Sequence, residues 1–224
     1  MPAAADPLGP AEVRVLGCLI EKEITTPAYY PLTLNALTNA CNQSSNRDPV
    51  FALDEAAVVR ALDLLRERKL AFLFSGADSR VPKYGHRSAE AFALPTDQLA
   101  VLCELMLRGP QTVGEVRGRA SRMHEFSTLA EAEAALEALA ARTPSPLALK
   151  LPRQTGFKEA RYAQLLGGPP AEGAPGTAPR LEPAVVAVRL ENERLAKLEA
   201  EIADLRRELA ELRQQLAAFR RQFD

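Results

Sequence analysis

A pattern of three helices followed by a β-hairpin occurs twice along this chain, and this internal repeat limits the possible folds more than any other sequence feature. Residues 31–34 (Pro-Leu-Thr-Leu) in the first half align with residues 110–113 (Pro-Gln-Thr-Val) in the second. Three further sets keep the same order: Val15-Leu16 with Val101-Leu102, Leu37 with Val116, and Ala61-Leu62-Leu65 with Ala135-Leu136-Leu139. The repeat predicts two similar small domains in tandem, with longer loops in the first.

Three helices are predicted at the start of the first unit. Residues 10–23 and residues 32–42 both carry apolar side chains at helical spacing, and Thr33 is the predicted N-cap of the second helix. A polar loop over residues 43–49 follows, and Asp54 then begins the third helix.

A β-hairpin is predicted to complete each unit. In the first unit, residues 70–74 and 81–87 form the strands and residues 76–79 the turn. In the second unit, residues 147–151 and 161–166 form the strands and residues 153–156 the turn. Three helices followed by a hairpin describe a winged helix. The predicted fold is therefore mainly α with small β-hairpins, built from two tandem winged-helix domains and a C-terminal coiled-coil helix.

Composition and the spacing of apolar residues change in the C-terminal part of the chain. Residues 168–184 are rich in Gly, Pro and Ala and predict a linker. Beyond it, apolar residues recur at alternating steps of three and four, which is the pattern of a left-handed coiled coil. The predicted dimerisation positions are Leu195, Leu198, Ile202, Leu205, Leu209, Leu212, Leu216 and Phe219. Residues 8–94, 95–167 and 185–224 are accordingly the first domain, the second domain and the coiled-coil helix.

The charges beside this apolar seam favour a parallel homodimer. In a parallel pair all three flanking contacts join opposite charges: Arg194 with Glu199, Glu201 with Arg206, and Glu208 with Arg213. An antiparallel pair would bring Glu201 and Glu208 together, where they would repel each other. The alternative is that this helix packs on the winged domains of its own chain.

Charge and cysteine content limit the function. Residues 1–168 carry as many basic as acidic side chains, so a histone-like polycation is excluded and any nucleic-acid binding must rest on local patches. Cys18, Cys41 and Cys103 lie in apolar helical patterns, which predicts buried thiols in a reducing compartment. Because the N-terminus is unlike a signal peptide and no apolar run is long enough to span a bilayer, we expect a cytoplasmic protein without membrane association.

Several sequence blocks resemble the YceH-like family of bacterial proteins. They are residues 30–37 (Tyr-Pro-Leu-Thr-Leu-Asn-Ala-Leu), 41–50 (Cys-Asn-Gln-Ser-Ser-Asn-Arg-Asp-Pro-Val), 79–84, 108–112 and 125–126. These blocks extend over both units. The resemblance implies tandem winged helices, in agreement with the repeat, and implies no particular activity.

The first unit offers the better surface for DNA. A winged helix commonly places its third helix in the major groove and its wing against the backbone. The third helix of the first unit begins with Asp54 and Glu55, and that of the second carries Glu131, Glu133 and Glu137, so phosphates would repel both. We therefore place the candidate nucleic-acid site on the first wing and the preceding polar loop, at Gln43, Asn46, Arg47, Arg80, Lys83, His86 and Arg87.

Structural roles compete with these assignments. The polar loop fits equally well a set of turn and cap residues in which Asn46, Asp48 and Pro49 shape the backbone. Basic residues of the second unit either extend a phosphate-binding track or, as is more common, form a solvated face. They are Arg108, Arg117, Arg119, Arg122, Lys150, Arg153, Lys158 and Arg161.

The favoured functional hypothesis is a dimeric winged-helix protein that binds double-stranded DNA and acts as a transcriptional regulator. The alternative is a winged-helix scaffold that binds another protein and no DNA. His86 and His124 have neither the spacing of a zinc site nor a cysteine partner, and the glycines form no phosphate loop. We therefore expect no enzymatic activity, no cofactor and no metal.

Overall fold

Helices dominate the chain, and its strands form two small antiparallel sheets. The computed structural model describes residues 6–75, 81–153 and 159–170. The helices are α1 Pro10–Thr25, α2 Leu34–Cys41, α3 Glu55–Glu67, α4 Ser88–Ala91, α5 Thr96–Arg108, α6 Val113–Ala120 and α7 Leu129–Ala140. The strands are β1 Leu32–Thr33, β2 Ala71–Phe74, β3 Lys83–His86, β4 Ala148–Lys150 and β5 Tyr162–Gln164. The prediction of a mainly α fold with small β-hairpins is confirmed.

The C-terminal segments lie outside the described residues. The chain divides into two compact units, Met1–Ala178 and Pro179–Asp224, and every described residue belongs to the first. The predicted coiled-coil positions from Leu195 to Phe219, and most of the predicted linker, are therefore not part of this description. The coiled coil, the homodimer and the proposed domain boundaries stay predictions.

The helix starts follow the capping chemistry expected from the sequence. The Thr33 side chain accepts a hydrogen bond from the backbone N–H of Ala36, and the Asp54 side chain accepts one from Ala57 at 2.7 Å. Each bond satisfies one of the unpaired N–H groups at a helix N-terminus. Both predicted caps are confirmed.

Each hairpin packs beside the segment that precedes the second helix of its unit. In the first sheet the strand order is β1-β3-β2, with Leu32 opposite Tyr84. In the second, Gln111 forms an isolated antiparallel bridge with Tyr162, at N–O distances of 3.0 and 2.7 Å. Leu32 and Gln111 are equivalent positions of the sequence repeat, so the repeat extends to strand pairing. Strand β1 was not predicted, because it is two residues long and continues directly into α2.

The core joins both halves of this unit. Helices α1 and α5 pack against each other, and each is buried over about three consecutive turns, Glu12–Glu21 in α1 and Leu99–Arg108 in α5. The Cys103 thiol donates a hydrogen bond to the Gly17 carbonyl at 3.3 Å across this contact. All three cysteines are buried and free, as predicted. No helix among the described residues is both long and apolar enough to span a membrane.

Gly17 sets how closely α1 and α5 approach. A Cβ atom at this position would lie 2.9 Å from Cδ2 of Leu107, which is fully buried. We expect Gly17→Val to lower the free energy of unfolding by about 2 kcal/mol, because the added methyl groups overpack the contact. Gly118 in α6 has no atom within 4 Å of the equivalent position. Gly118→Val should therefore change stability by less than about 0.5 kcal/mol in urea titrations, and a similar loss in both variants would contradict this packing account.

Candidate nucleic-acid interface

The polar loop before α3 is part of the protein interior. The side chain of Arg47 is fully covered, and its Nη2 lies 2.5 Å from Oε2 of Glu21 while Nη1 lies 3.0 Å from Oε1. Its Nε donates to the Ala40 carbonyl at 3.1 Å, and Gln43 Oε1 accepts from Nη2 at 3.0 Å. The predicted phosphate contact of Arg47 does not fit this conformation, because groups of the protein enclose its guanidinium.

Asn46 and its neighbours dock this loop on the second half of the unit. Asn46 adopts a left-handed backbone conformation (φ 57°), and its Oδ1 accepts a hydrogen bond from Arg108 at the end of α5. The backbone N–H of Asp48 donates to the Leu107 carbonyl at 2.9 Å. Gln43, Asn46 and Arg47 thus have the structural role that the sequence left as an alternative, and none of the three enters the candidate site.

A buried ionic cluster continues from this loop into the second half. We define the buried ionic cluster as Glu21, Arg47, Glu104, Arg108 and Arg122. The Arg122 guanidinium lies 2.7 Å from Glu21 Oε1 and 3.0 Å from Glu104 Oε1, and Arg108 Nε lies 3.1 Å from Glu104 Oε2. Both carboxylates are fully buried, whereas the Arg122 side chain is 29 % exposed. One arginine therefore bridges an acid from α1 and an acid from α5.

The two carboxylates of the cluster differ in their electrostatics. Burial alone would raise the pKa of Glu21, but the hydrogen bonds and charge of Arg47, together with the charge of Arg122, hold that pKa below its usual value. Burial raises the pKa of Glu104 above its usual value, although Arg122 and Arg108 oppose the shift. Glu21 is accordingly the main counter-charge of the arginines, and Glu104 is the weaker acid of the pair.

His86 is also enclosed rather than presented to a ligand. Its side chain is 2 % exposed, and Nε2 lies 2.8 Å from Glu23 Oε2 on α1. Nδ1 accepts a hydrogen bond from the backbone N–H of Ser88 at 3.0 Å, and the backbone N–H of His86 donates to Tyr30 Oη at 2.6 Å. Burial raises the pKa of the Tyr30 hydroxyl, so it stays a neutral acceptor. The predicted contact of His86 with nucleic acid does not fit this conformation, because the imidazole is buried and bonded inside the fold.

Lys83 and Arg87 remain accessible, and the strand register shows what surrounds them. Directly opposed residues share a face of a sheet, so the pairs Thr33–Lys83, Phe74–Lys83 and Phe72–Gly85 all lie on one side. Leu32, Ala71 and His86 lie on the other side and are buried. We call the first side, with Thr33, Phe72, Phe74, Lys83 and Arg87, the outer sheet face. Arg80, the remaining predicted site residue, lies outside the described residues.

Aromatic and basic side chains alternate on the outer sheet face. Phe74 is 46 % exposed and lies opposite Lys83, and the guanidinium carbon of Arg87 is 5.5 Å from the ring centroid of Phe72. Gly85 makes this arrangement possible, because a Cβ there would overlap the Phe72 ring and approach Tyr30 Oη to 2.9 Å. Lys83 and Arg87 were predicted site residues, whereas Phe72 and Phe74 were not, although their period-two spacing in β2 is visible in the sequence.

Most described basic residues of the second half contact other groups of the protein; Arg153 is exposed, and Lys158 lies outside the described residues. Arg117 donates to the carbonyl oxygens of Phe126 and Ser127, and Arg119 donates to Gln111 Oε1 at 2.8 Å. Lys150 lies within 4 Å of both Glu133 and Glu137 on α7. Arg161 donates to the Pro110 carbonyl at 2.9 Å. These contacts support the alternative to a phosphate-binding track. Within the described part of the chain, no group of three or more His, Cys, Asp or Glu residues has the geometry to hold a metal ion.

The electrostatic difference inside the buried ionic cluster is testable at neutral pH. We expect Glu21→Gln to lower the free energy of unfolding by about 3 kcal/mol, because it leaves the enclosed Arg47 without its carboxylate. Glu104→Gln, the matched control, should cost clearly less, since burial already favours the uncharged form of Glu104. Urea unfolding of both variants at pH 7 measures the difference, and equal losses would refute the separate roles.

The same assignment predicts a pH dependence. The depressed pKa of Glu21 means that its stabilisation is present above the unfolded-state pKa of about 4.3 and is lost as the pH falls through the folded-state value. The native chain should therefore lose stability on acidification more steeply than Glu21→Gln. Parallel pH profiles of the two proteins would argue against ionised Glu21 as the stabilising group.

Comparison with known proteins places the chain in a family. Residues 8–157 match a family described as "Protein of unknown function, DUF480". A UPF0502 protein of Opitutus terrae is 54% identical over 86% of this chain and 85% of its own length. UPF0502 proteins of Geotalea uraniireducens and Geotalea daltonii are each 59% identical, over 88% and 87% of this chain and 89% and 88% of their own lengths. These matches agree with the resemblance drawn from the sequence blocks, and the chain belongs to the DUF480 family of bacterial proteins, together with these UPF0502 relatives.

Proposed function

We propose that each half of the compact unit is a winged-helix domain and that the first half binds nucleic acid, with double-stranded DNA as the expected ligand. Three helices followed by an antiparallel hairpin support the domain assignment in both halves. One observation carries the binding proposal. Lys83 and Arg87 form no ion pair with any described residue, and they lie together on a face without a described carboxylate, whereas most described arginines of the second half contact other groups of the protein.

Contacts with the backbone would dominate this binding. Lysine and arginine neutralise phosphates and release counterions, and such contacts position a protein without reading the sequence. The α3 surface adds little to base reading, because its first turn begins with the capping Asp54 and the exposed Glu55. The proposal is a non-catalytic protein that recognises nucleic acid mainly by charge, with a regulatory role as the biological expectation.

Dimerisation through the C-terminal helix is part of this proposal. Two first-half hairpins on one dimer would raise the effective concentration of the second contact after the first has formed. This gain compensates for the small number of free cations on each outer sheet face. The heptad pattern from Leu195 to Phe219 and its flanking charges support the dimer.

A protein-interaction scaffold is the second candidate, and the surface of α7 favours it. Leu129 is 49 % exposed at the start of this helix, and Glu131, Ala134 and Glu137 are exposed along it. An acidic and partly apolar helix suits a protein partner better than a DNA groove. The two candidates are compatible, since they use different halves of the unit.

Charge reversal on the outer sheet face tests the binding proposal. We expect Lys83→Glu/Arg87→Glu to weaken binding of the full chain to labelled duplex DNA in fluorescence anisotropy, and to reduce the slope of log affinity against log salt by about 2, one for each lost phosphate contact. Arg153→Glu, one charge reversal at an exposed position before the second hairpin turn, is the control for a general effect of added negative charge, and we compare it per substitution. An equal effect of the control, or no effect of the double variant, would count against this site.

Disruption of the heptad seam tests the dimer. Ile202→Lys/Leu209→Lys places charges at two predicted seam positions, so we expect a monomer in sedimentation analysis and weaker duplex binding with an unchanged fold. A chain ending after Gly168 should behave in the same way. If both remain dimeric, the helix has another role.

A further inference from the structure

We propose that the outer sheet face binds single-stranded nucleic acid, with unpaired bases stacking on Phe72 and Phe74 while Lys83 and Arg87 hold the backbone. This inference deepens the proposed function and rests on it, because it uses the same two cations. It adds single strands to the duplex DNA expected above as a ligand of this face.

The strand register places the four side chains together. Phe72 and Phe74 are two positions apart on β2 and so lie about 6.6 Å apart along the strand on the same face. Lys83 is the direct cross-strand neighbour of Phe74, and Arg87 is in contact with the ring of Phe72. Each ring therefore has one cation beside it, and the two ring–cation pairs follow one another along the hairpin.

The backbone of β3 sets the place of Phe72 on this face. Gly85 provides the space in which the partly buried Phe72 lies across β3, and Tyr30 Oη lies beside that space. Phe74 leaves nearly half of its area in water. Exposing a large apolar ring to water is unfavourable, and a stacked base would cover it.

The chemistry of this face favours unpaired bases over a duplex or an acidic peptide. Every base has a π-face, and base–aromatic stacking with nearby cations is the usual means of binding single strands without sequence preference. In a duplex the bases are stacked on each other, so Phe72 and Phe74 would have no partner there. An acidic peptide would be held by Lys83 and Arg87 but would gain little from two aromatic rings at the same site.

The test compares two labelled probes on the full-length chain. A fluorescein-labelled oligothymidine of about 20 nucleotides and a duplex of the same length are titrated at low and at physiological salt. We expect tighter binding of the oligothymidine. Phe74→Ala and Phe72→Leu should weaken oligothymidine binding on the order of 5- to 100-fold, since each removes one stacking surface. Both should leave duplex affinity within about 2-fold, because the phosphate contacts of the cations remain.

Leu73→Ala is the matched control. Leu73 is on the same strand, is 40 % exposed and lies on the opposite face of the sheet. It should leave both affinities unchanged, and urea unfolding of all three variants shows whether a loss of binding reflects a loss of folded protein. Phe72→Leu keeps an apolar side chain over Gly85, so it separates stacking from packing.

The outcomes separate this inference from the proposed function. Duplex binding that depends on Lys83 and Arg87, with no preference for oligothymidine or no effect of the phenylalanine variants, overturns the stacking inference and leaves the proposed function standing. Failure of the native chain to bind either probe overturns both. Selective loss of oligothymidine binding in Phe74→Ala and Phe72→Leu, with Leu73→Ala unaffected, supports the inference.

Discussion

The Glu21 carboxylate is enclosed between arginines from two separate segments, and the arrangement of the compact unit depends on this interaction. Removing a carboxylate from water is expensive unless its oxygens are bound, and here Arg47 and Arg122 bind both of them. Helices α1 and α5 also pack closely at Gly17, where an added Cβ would lie 2.9 Å from Leu107 Cδ2. The ion pairs add directional contacts to this apolar packing, because Arg122 binds a carboxylate from each helix. Apolar packing and the buried ionic cluster together hold the two halves in one arrangement.

This docking determines which charged groups reach the solvent. The first half binds its loop arginine internally and leaves Lys83 and Arg87 of the hairpin without an ion pair to a described residue. In the second half, arginines bind loop carbonyls, the Gln111 side chain and the carboxylates of Glu21 and Glu104. Nearly equal totals of basic and acidic residues therefore do not show where basic side chains are available to a ligand. The two halves share one supersecondary pattern but expose different groups. The first half exposes a basic sheet face, and the second half exposes the acidic surface of α7.

Local chemistry made much of the fold predictable. The helix starts at Thr33 and Asp54 follow from side-chain capping, and the repeat correctly aligned Leu32 with Gln111. The candidate site was harder, because burial depends on contacts between residues far apart in sequence. Arg47 resembles a phosphate-binding loop residue until Glu21, 26 positions away, is found beside it. Glu21 gave a weak signal of its own, since it continues the helix face that carries Cys18. The stacking of Arg87 on Phe72 required the strand register, which the sequence left undetermined.

The burial of α1 over about three turns limits how the two halves can change in evolution. Helix α1 packs against α2 and α3 on the one hand and against α5 on the other, and its Leu16, Leu19 and Ile20 are fully buried. Separating the two halves would bring apolar surface of α1 and α5 into water, which is unfavourable. We therefore expect the two halves to be inherited together, although their sequences follow one repeating pattern.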